Sequence, residues 1–174
     1  MRNKATIDIN QCSGALSQLM ILSFAMAHHL LFLCTGNYYR SRFAEELFNH
    51  RAGLAELNWR AFSKGAAERG SPNNVGPMSP FALDGLQARG VRPVGNLRYP
   101  QPCTLPDLES ADLIIALKEA EHRPLIERRF PEMADRVRYW HVDDVDVAKP
   151  AIALALIDHL VEDLLGSLSD ARVS

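Results

Sequence analysis

The residues best suited to chemistry in this chain are Cys34 and Arg40, which stand in the stretch Cys-Thr-Gly-Asn-Tyr-Tyr-Arg-Ser. A thiolate is a strong nucleophile. The planar fork of a guanidinium can hold two oxygens of a phosphoryl group at once. The sequence therefore predicts a site that binds a phosphate and attacks it through sulfur.

The segments on either side of this stretch predict how these two side chains are positioned. Residues 29–33 are an apolar run with the length of a strand buried on both faces, and residues 42–48 have helical spacing of apolar positions. A strand that enters a helix through a tight loop directs the free N–H groups of the helix over the strand end. The positive end of that helix, the loop amides and Arg40 all favour the thiolate of Cys34, which we expect to be a nucleophile at neutral pH.

The residues inside the loop fit an anion site. Gly36 allows close approach of the backbone, Asn37 tolerates a left-handed conformation, and Ser41 can donate a hydrogen bond to the sulfur. A lone cysteine after an apolar strand is usually a small core residue, but these neighbours favour the functional interpretation. We expect the whole loop to bind the phosphate: Thr35, Gly36, Asn37, Tyr38, Tyr39, Arg40 and Ser41.

The pattern Cys-x-Gly-Asn-x-x-Arg-Ser between a strand and a helix resembles the loop of the low-molecular-weight protein tyrosine phosphatase family. The resemblance extends from about residue 29 to the C-terminus. Strands and helices alternate along the chain, which predicts a doubly wound α/β domain. The resemblance implies three layers, with helices on both faces of a four-stranded parallel sheet of order 2-1-3-4. In that order the loop lies at the switch point where ligands bind in such sheets.

Periodicity and turn residues predict the remaining elements. Strands are expected at residues 58–65, 111–117 and 137–140. Helices are expected at residues 79–90, 104–110, 118–129 and 151–168, with Ser79 capping the first and Pro124 either breaking the third or marking its first turn. Residues 70–80 are rich in proline, glycine and asparagine and predict a loop.

A second chemical feature follows the fourth predicted strand, where Asp143, Asp144 and Asp146 are crowded together. Transfer of a phosphoryl group from a phenol needs a proton donor for the leaving oxygen. Alignment with the Val-Pro-Asp-Pro common in the resembled family implies that Asp144 is this acid, with Asp143 as the alternative. Both prolines are absent here, and a solvated acidic turn is the structural alternative.

Two further positions concern the support of the loop. The resemblance implies that Ser63, at the end of the second strand, hydrogen-bonds Asn37. Many family members carry a histidine shortly before the arginine equivalent to Arg98, whereas Gly95 and Asn96 stand in that region here. We therefore expect the support to be partly rebuilt, with Asn96 as the candidate.

Composition limits the other classes of function. The chain has 174 residues, 47% of them hydrophobic and 23% charged, with a net charge of −2, which describes one ordinary globular domain without a basic surface for nucleic acid. Cys12, Cys34 and Cys103 have neither disulfide nor metal-ligand spacing, so we expect no metal, no cofactor and a reducing cytoplasm. His28 and His29 point to opposite sides of a strand and are interpreted as structural.

The N-terminal segment precedes the resembled region. We interpret residues 1–27 as an N-terminal extension that is disordered, forms an amphipathic helix, or results from a mis-assigned start before Met26, and residues 28–174 as the phosphatase domain. Asp8, Asn10 and Gln11 interrupt the pattern of a signal peptide, which is therefore disfavoured.

The resemblance implies a cysteine-dependent phosphatase that hydrolyses phosphotyrosine in proteins or small aryl phosphates through a cysteinyl-phosphate. We expect a monomer or weak dimer that binds neither nucleic acid nor membrane. Alternatives with the same fold are an arsenate reductase, an arginine phosphatase and a non-catalytic phosphate-binding relative. Thioredoxin-coupled arsenate reductases have two further cysteines near the third strand, where only Cys103 occurs, and arginine phosphatases commonly carry threonine in place of Tyr38.

Overall fold

A four-stranded parallel sheet forms the centre of the protein, which is described by a computed structural model over residues 27–95 and 97–170. The strands have the order β2-β1-β3-β4. Their bounds are His28–Cys34 for β1, Trp59–Gly65 for β2, Leu113–Ala116 for β3 and Val137–Tyr139 for β4. The predicted fold class and strand order are confirmed.

Strand β1 is central because it pairs with both β2 and β3. Leu31 lies opposite Phe62 on one side and Ile114 on the other. The four leucine and phenylalanine side chains of residues 30–33 are completely buried, as expected for an apolar strand covered on both faces. This pairing fixes the position at which β1 ends and the functional loop begins.

Five α-helices and one 3₁₀-helix surround the sheet in the described part of the chain. The helices are α1 Arg40–Leu54, α2 Pro80–Gln87, α3 Leu105–Glu109, α4 Glu119–Arg129, the 3₁₀-helix Pro131–Arg136 and α5 Pro150–Asp170. Alternate residues of β1 divide the core into two clusters. Leu30 and Phe32 pack with α1, α2 and α5, whereas Leu31 and Leu33 pack with α3, α4 and the 3₁₀-helix. The result is the expected three layers.

Two local expectations differ from the structure. Helix α4 continues across Pro124, which neither breaks it nor lies in its first turn. The missing N–H leaves the carbonyl of Ala120 without its helical partner, and the exposure of both residues allows water to hydrate that carbonyl. Ser79 precedes α2 as predicted, but its side chain makes no capping hydrogen bond.

Three segments lie outside the described residues: 1–26, Asn96 and 171–174. The predicted N-terminal extension, apart from its last residue, and the predicted role of Asn96 therefore fall there. Among the helices of residues 27–95 and 97–170, none has the length and apolar character to cross a bilayer.

Candidate active site

The candidate site is built on the loop between β1 and α1. Cys34 is the last residue of β1 and Arg40 is the first residue of α1, so these two residues lie at the two ends of the loop. Asn37 has a φ of 52°, the left-handed conformation that was expected of it. A Cβ atom on Gly36 would meet Asn74 Nδ2 at 2.9 Å and the Cα atom of Gly70 at 3.3 Å, so a larger residue would require the Asn74 side chain to shift.

The sulfur of Cys34 lies beside a serine hydroxyl. Cys34 is only 3% exposed, and its Sγ is 3.0 Å from Ser41 Oγ. Asn37 Nδ2 donates to the same oxygen over 3.2 Å. Because the hydroxyl accepts from the amide, its own hydrogen is available to the sulfur, where it would stabilise a thiolate.

Asn37 is fixed by contacts from two directions. Its Nδ2 also donates to Ser63 Oγ at 2.8 Å, which is the contact implied by the resemblance. Its Oδ1 accepts from Arg98 Nη1 and from the backbone N–H of Gln101, both at 3.1 Å. These bonds occupy both ends of the amide and stabilise the left-handed residue at the centre of the loop.

Arg98 supplies the donors on the side where many family members have a histidine. Its Nη2 donates to Glu45 Oε2 at 2.6 Å, and Ser63 Oγ donates to that same oxygen at 2.5 Å. The pKa of the Glu45 carboxyl is raised, because the effect of burial is larger than the opposite effect of the Arg98 charge. At the position before the undescribed Asn96, the backbone N–H of Gly95 donates to Glu46 Oε1 at 2.8 Å. A second carboxylate thus orders this segment.

Arg40 is held by side chains and backbone from distant parts of the chain. It is 1% exposed, and its Nη1 donates to Glu121 Oε1 at 3.1 Å and to the carbonyl of Val142 at 2.9 Å. Its Nη2 donates to Glu121 Oε2 and to Asp144 Oδ2, each at 2.7 Å. Arg40 Nε is buried without a hydrogen-bond partner within residues 27–95 and 97–170, and this donor is therefore free to bind an anion.

The two candidate acids occupy different environments. Asp144 contacts Arg40 and lines the pocket that contains Cys34. Asp143 pairs with Lys118 and is not part of that pocket lining. The structure therefore brings Asp144 together with the loop and directs Asp143 elsewhere.

A pocket of about 760 Å³ opens over the loop. Its lining combines loop residues, three carboxylates and three aromatic rings: Cys34, Thr35, Gly36, Tyr38, Tyr39, Arg40, Ser71, Asn73, Asn74, Ser79, Pro80, Phe81, Glu121, Asp144, Val145 and Asp146. Metal-binding groups of three or more suitable side chains do not occur in the described ranges.

Two tyrosines, Tyr38 and Tyr39, contribute to the lining of this pocket. The hydroxyl of Tyr38 donates to the carbonyl of Val75 at 2.6 Å, which fixes the ring against the loop of residues 70–79. Tyr39 packs edge-on to Phe81 with ring centroids 6.3 Å apart. Burial, with the nearby charge of Asp144, raises the pKa of Tyr39 to about 12, so the phenol remains neutral.

Sequence reasoning missed four residues that contact the predicted site. Arg98 donates to Asn37, Glu45 accepts from Arg98 and Ser63, and Glu121 accepts from Arg40. His122 is completely buried, and its ring lies 3.3 Å from the hydroxyl of Thr35. Glu121 and His122 could have been found from their position shortly after β3. The carboxyl end of β3 lies beside that of β1, where ligands bind in such sheets.

Comparison with known proteins agrees with this geometry. The family model described as low molecular weight phosphotyrosine protein phosphatase matches residues 29–153. The fold and loop are those of a cysteine-dependent phosphatase. The chain belongs to the low molecular weight phosphotyrosine protein phosphatase family, as the resemblance implied.

Individual relatives differ in substrate. A protein-arginine-phosphatase of Bacillus subtilis is 33% identical over 108 residues, which cover 62% of this chain and 67% of the relative. A mutant of the YwlE arginine phosphatase with a phosphorylated active-site serine has a TM-score of 0.68 at 27% identity, over 84% of this chain and 99% of its own. A low molecular weight protein tyrosine phosphatase of Bacillus subtilis has a TM-score of 0.67 at 28% identity, over 83% and 99%.

Proposed function

We propose that this phosphatase hydrolyses aryl phosphate monoesters, with phosphotyrosine in proteins as its substrate class. The observation that carries the proposal is that Cys34, Arg40 and Asp144 line one pocket whose wall includes the ring of Tyr38. A flat aromatic ring fits beside such a wall, because offset or edge-to-face ring pairs are favourable.

In the first step the thiolate of Cys34 attacks phosphorus, and the bond between phosphorus and the phenolic oxygen breaks. Arg40 Nε and the loop N–H groups hold the equatorial oxygens. Asp144, protonated at this stage, gives its proton to the leaving phenol. The products are the free phenol and a cysteinyl-phosphate.

In the second step water attacks the phosphorus of the intermediate. Asp144, now a carboxylate, accepts a proton from that water, and the bond between sulfur and phosphorus breaks. Inorganic phosphate leaves and the thiolate is restored. The hydroxyl of Ser41, 3.0 Å from the sulfur, stabilises the thiolate as leaving group.

Phosphoarginine is the second candidate substrate. A protein-arginine-phosphatase is 33% identical to this chain, and the pocket contains the carboxylates of Glu121, Asp144 and Asp146, which suit a cationic leaving group. Tyr38 argues against it, since threonine is common there in arginine phosphatases. Reduction of arsenate is disfavoured because Cys103 is buried outside the pocket lining.

The proposal is tested by measuring turnover of phenyl phosphate, phosphoarginine and arsenate side by side. We expect phenyl phosphate to be the best substrate. The Cys34→Ser variant should be inactive, EDTA should leave activity unchanged, and the matched Cys103→Ser variant should retain activity. Faster turnover of phosphoarginine would transfer the assignment to the second candidate, and turnover of none would leave a phosphate-binding protein.

The setting of the enzyme follows from its nucleophile. A thiolate requires reducing conditions, so the cytoplasm is the proposed location. The proposed form is a monomer or weak dimer acting on phosphoproteins or small aryl phosphates.

A further inference from the structure

Arg40 is positioned by a carboxylate on a helix that follows a different strand. Glu121, in the first turn of α4, accepts from both terminal nitrogens of the guanidinium, with distances of 3.1 Å and 2.7 Å. Such a two-point contact fixes the plane of the guanidinium as well as its location. It leaves Nε directed away from Glu121 and available for another acceptor.

Glu121 is itself fixed by the loop. The hydroxyl of Thr35, the residue after Cys34, donates to Glu121 Oε2 at 3.2 Å. Oε2 therefore accepts from Thr35 and Arg40 together, while Oε1 accepts from Arg40. The carboxylate is in consequence oriented by the same loop whose arginine it holds.

His122 determines the direction of the hydrogen bond made by Thr35. The backbone N–H of Lys118 donates to His122 Nδ1 at 3.0 Å, so the proton of the neutral ring is on Nε2. Nε2 is 3.3 Å from Thr35 Oγ1 and donates to it. The Thr35 hydroxyl then has its own hydrogen for Glu121.

The ring of His122 remains neutral over the range in which a phosphatase works. Its complete burial, with the nearby guanidinium of Arg40, lowers its pKa to about 4. A neutral ring keeps one donor and one acceptor, which is what this chain of contacts requires. Donation thus runs from the Lys118 backbone through His122 and Thr35 to Glu121, and Arg40 donates to the same carboxylate.

We propose that Glu121, oriented by Thr35 and His122, is the positioning residue that presents Arg40 to the phosphoryl group. This inference rests on the proposed function for its substrate. Glu121 acts through Arg40 rather than on the substrate, because a carboxylate and a phosphate repel each other. A purely structural role, in which Glu121 only compensates a buried charge, is the competing explanation.

The two explanations are separated by measuring phosphate binding as well as stability. Glu121→Gln keeps the size of the side chain but replaces one accepting oxygen with a donor, which opposes the N–H groups of Arg40. Thr35→Val removes the orienting hydroxyl at nearly constant volume. Glu119→Gln is the matched control, since Glu119 is on the same helix and pairs with Arg123.

The binding of inorganic phosphate is measured by calorimetry, and kcat and KM for phenyl phosphate are measured below the melting temperature of every variant. We expect Glu121→Gln to weaken phosphate binding about 10-fold and lower kcat/KM by at least that factor, as loss of one charge-assisted contact implies. Thr35→Val should show about a 3-fold loss of both, because the carboxylate stays but loses its orientation. Glu119→Gln should match the parent.

The positioning role would be overturned if Glu121→Gln and Thr35→Val both bind phosphate as tightly as the parent, whether or not their melting temperatures are lower. If Glu121→Gln does not fold, Thr35→Val alone decides by the same criterion. A parent that binds phosphate but does not hydrolyse phenyl phosphate would count against the proposed substrate, while the binding comparison would still decide the role of Glu121. A parent that does not bind phosphate would overturn both.

Discussion

Asp144 Oδ2 lies 2.7 Å from Arg40 Nη2, so the proposed proton donor and the proposed phosphate-binding side chain are in direct contact. Asp143, its neighbour in sequence, contacts Lys118 instead. This contact places Asp144 next to the guanidinium that is proposed to hold the phosphoryl group, and it makes the two aspartates a matched pair for mutagenesis.

Replacement of Asp144 by asparagine should lower kcat/KM for phenyl phosphate by roughly 10²–10⁴, the usual contribution of one positioned acid. The loss should be much smaller for p-nitrophenyl phosphate, whose leaving group departs without a proton. Steady-state kinetics with both substrates measure the difference. Asp143→Asn is the control and should stay near the parent; a larger effect in Asp143→Asn would exchange the two assignments.

Replacement of Arg98 by alanine should destabilise the loop. It removes a donor from Asn37 and leaves the buried Glu45 with one fewer partner, which should lower the free energy of unfolding by roughly 1–3 kcal/mol. Urea denaturation measures this value. The exposed Arg92 provides the control variant Arg92→Ala. If Arg98→Ala is as stable as Arg92→Ala, the support is supplied elsewhere.

Removal of the His122 ring should change how stability depends on pH. The pKa of His122 is about 4 in the folded protein, below the ordinary 6.5, so the unfolded chain binds more protons between these values. The free energy of unfolding should therefore fall as pH is lowered from 6.5 to 4, by up to about 3 kcal/mol from this residue. The His122→Asn variant lacks this titrating group. The difference in the free energy of unfolding between parent and variant should therefore become smaller as pH is lowered from 6.5 to 4. A stability difference between parent and variant that is constant from pH 6.5 to 4 would contradict the lowered pKa of His122.

Replacement of Tyr38 by threonine should shift selectivity between substrates. Loss of an aromatic wall should lower kcat/KM for phenyl phosphate up to about 10-fold, the value of a ring contact, while turnover of phosphoarginine should be unchanged or higher. The ratio of the two kcat/KM values is the measurement. Tyr38→Phe keeps the ring and should resemble the parent, as should Tyr99→Thr outside the pocket lining. An unchanged ratio in Tyr38→Thr would remove this residue from the specificity argument.

The sequence predicts most of the fold because its signals are local. The apolar run of β1, the helical spacing of α1 and the alternation of elements each depend on neighbouring residues, and the predicted sheet order is confirmed. Pro124 shows the limit of such signals, since the exposed side of a helix tolerates a proline that local rules place at its end.

The site was predictable only where a motif carries it. The loop residues adjoin one another in sequence, whereas the contacts from Arg40 to Glu121 and Asp144 span 81 and 104 positions. Glu121 carries no local mark that separates it from an ordinary helix-surface glutamate. The contact between Arg98 and Asn37 likewise joins distant parts of the sequence, and only the folded chain brings them together. The choice between Asp143 and Asp144 also depends on tertiary contacts, and its functional test remains a prediction.

The contacts of Arg40 link anion binding to the assembly of the sheet. Its partners Glu121 and Val142 follow β3 and β4, so the complete anion site exists only when β3 is paired in register with β1 and β4 with β3. A partly folded chain in which only β1 and β2 are paired has the loop sequence without the groups that orient its arginine. We therefore expect product phosphate to stabilise the whole domain and not the loop alone, with the thermodynamic effect of a ligand that binds only the native state.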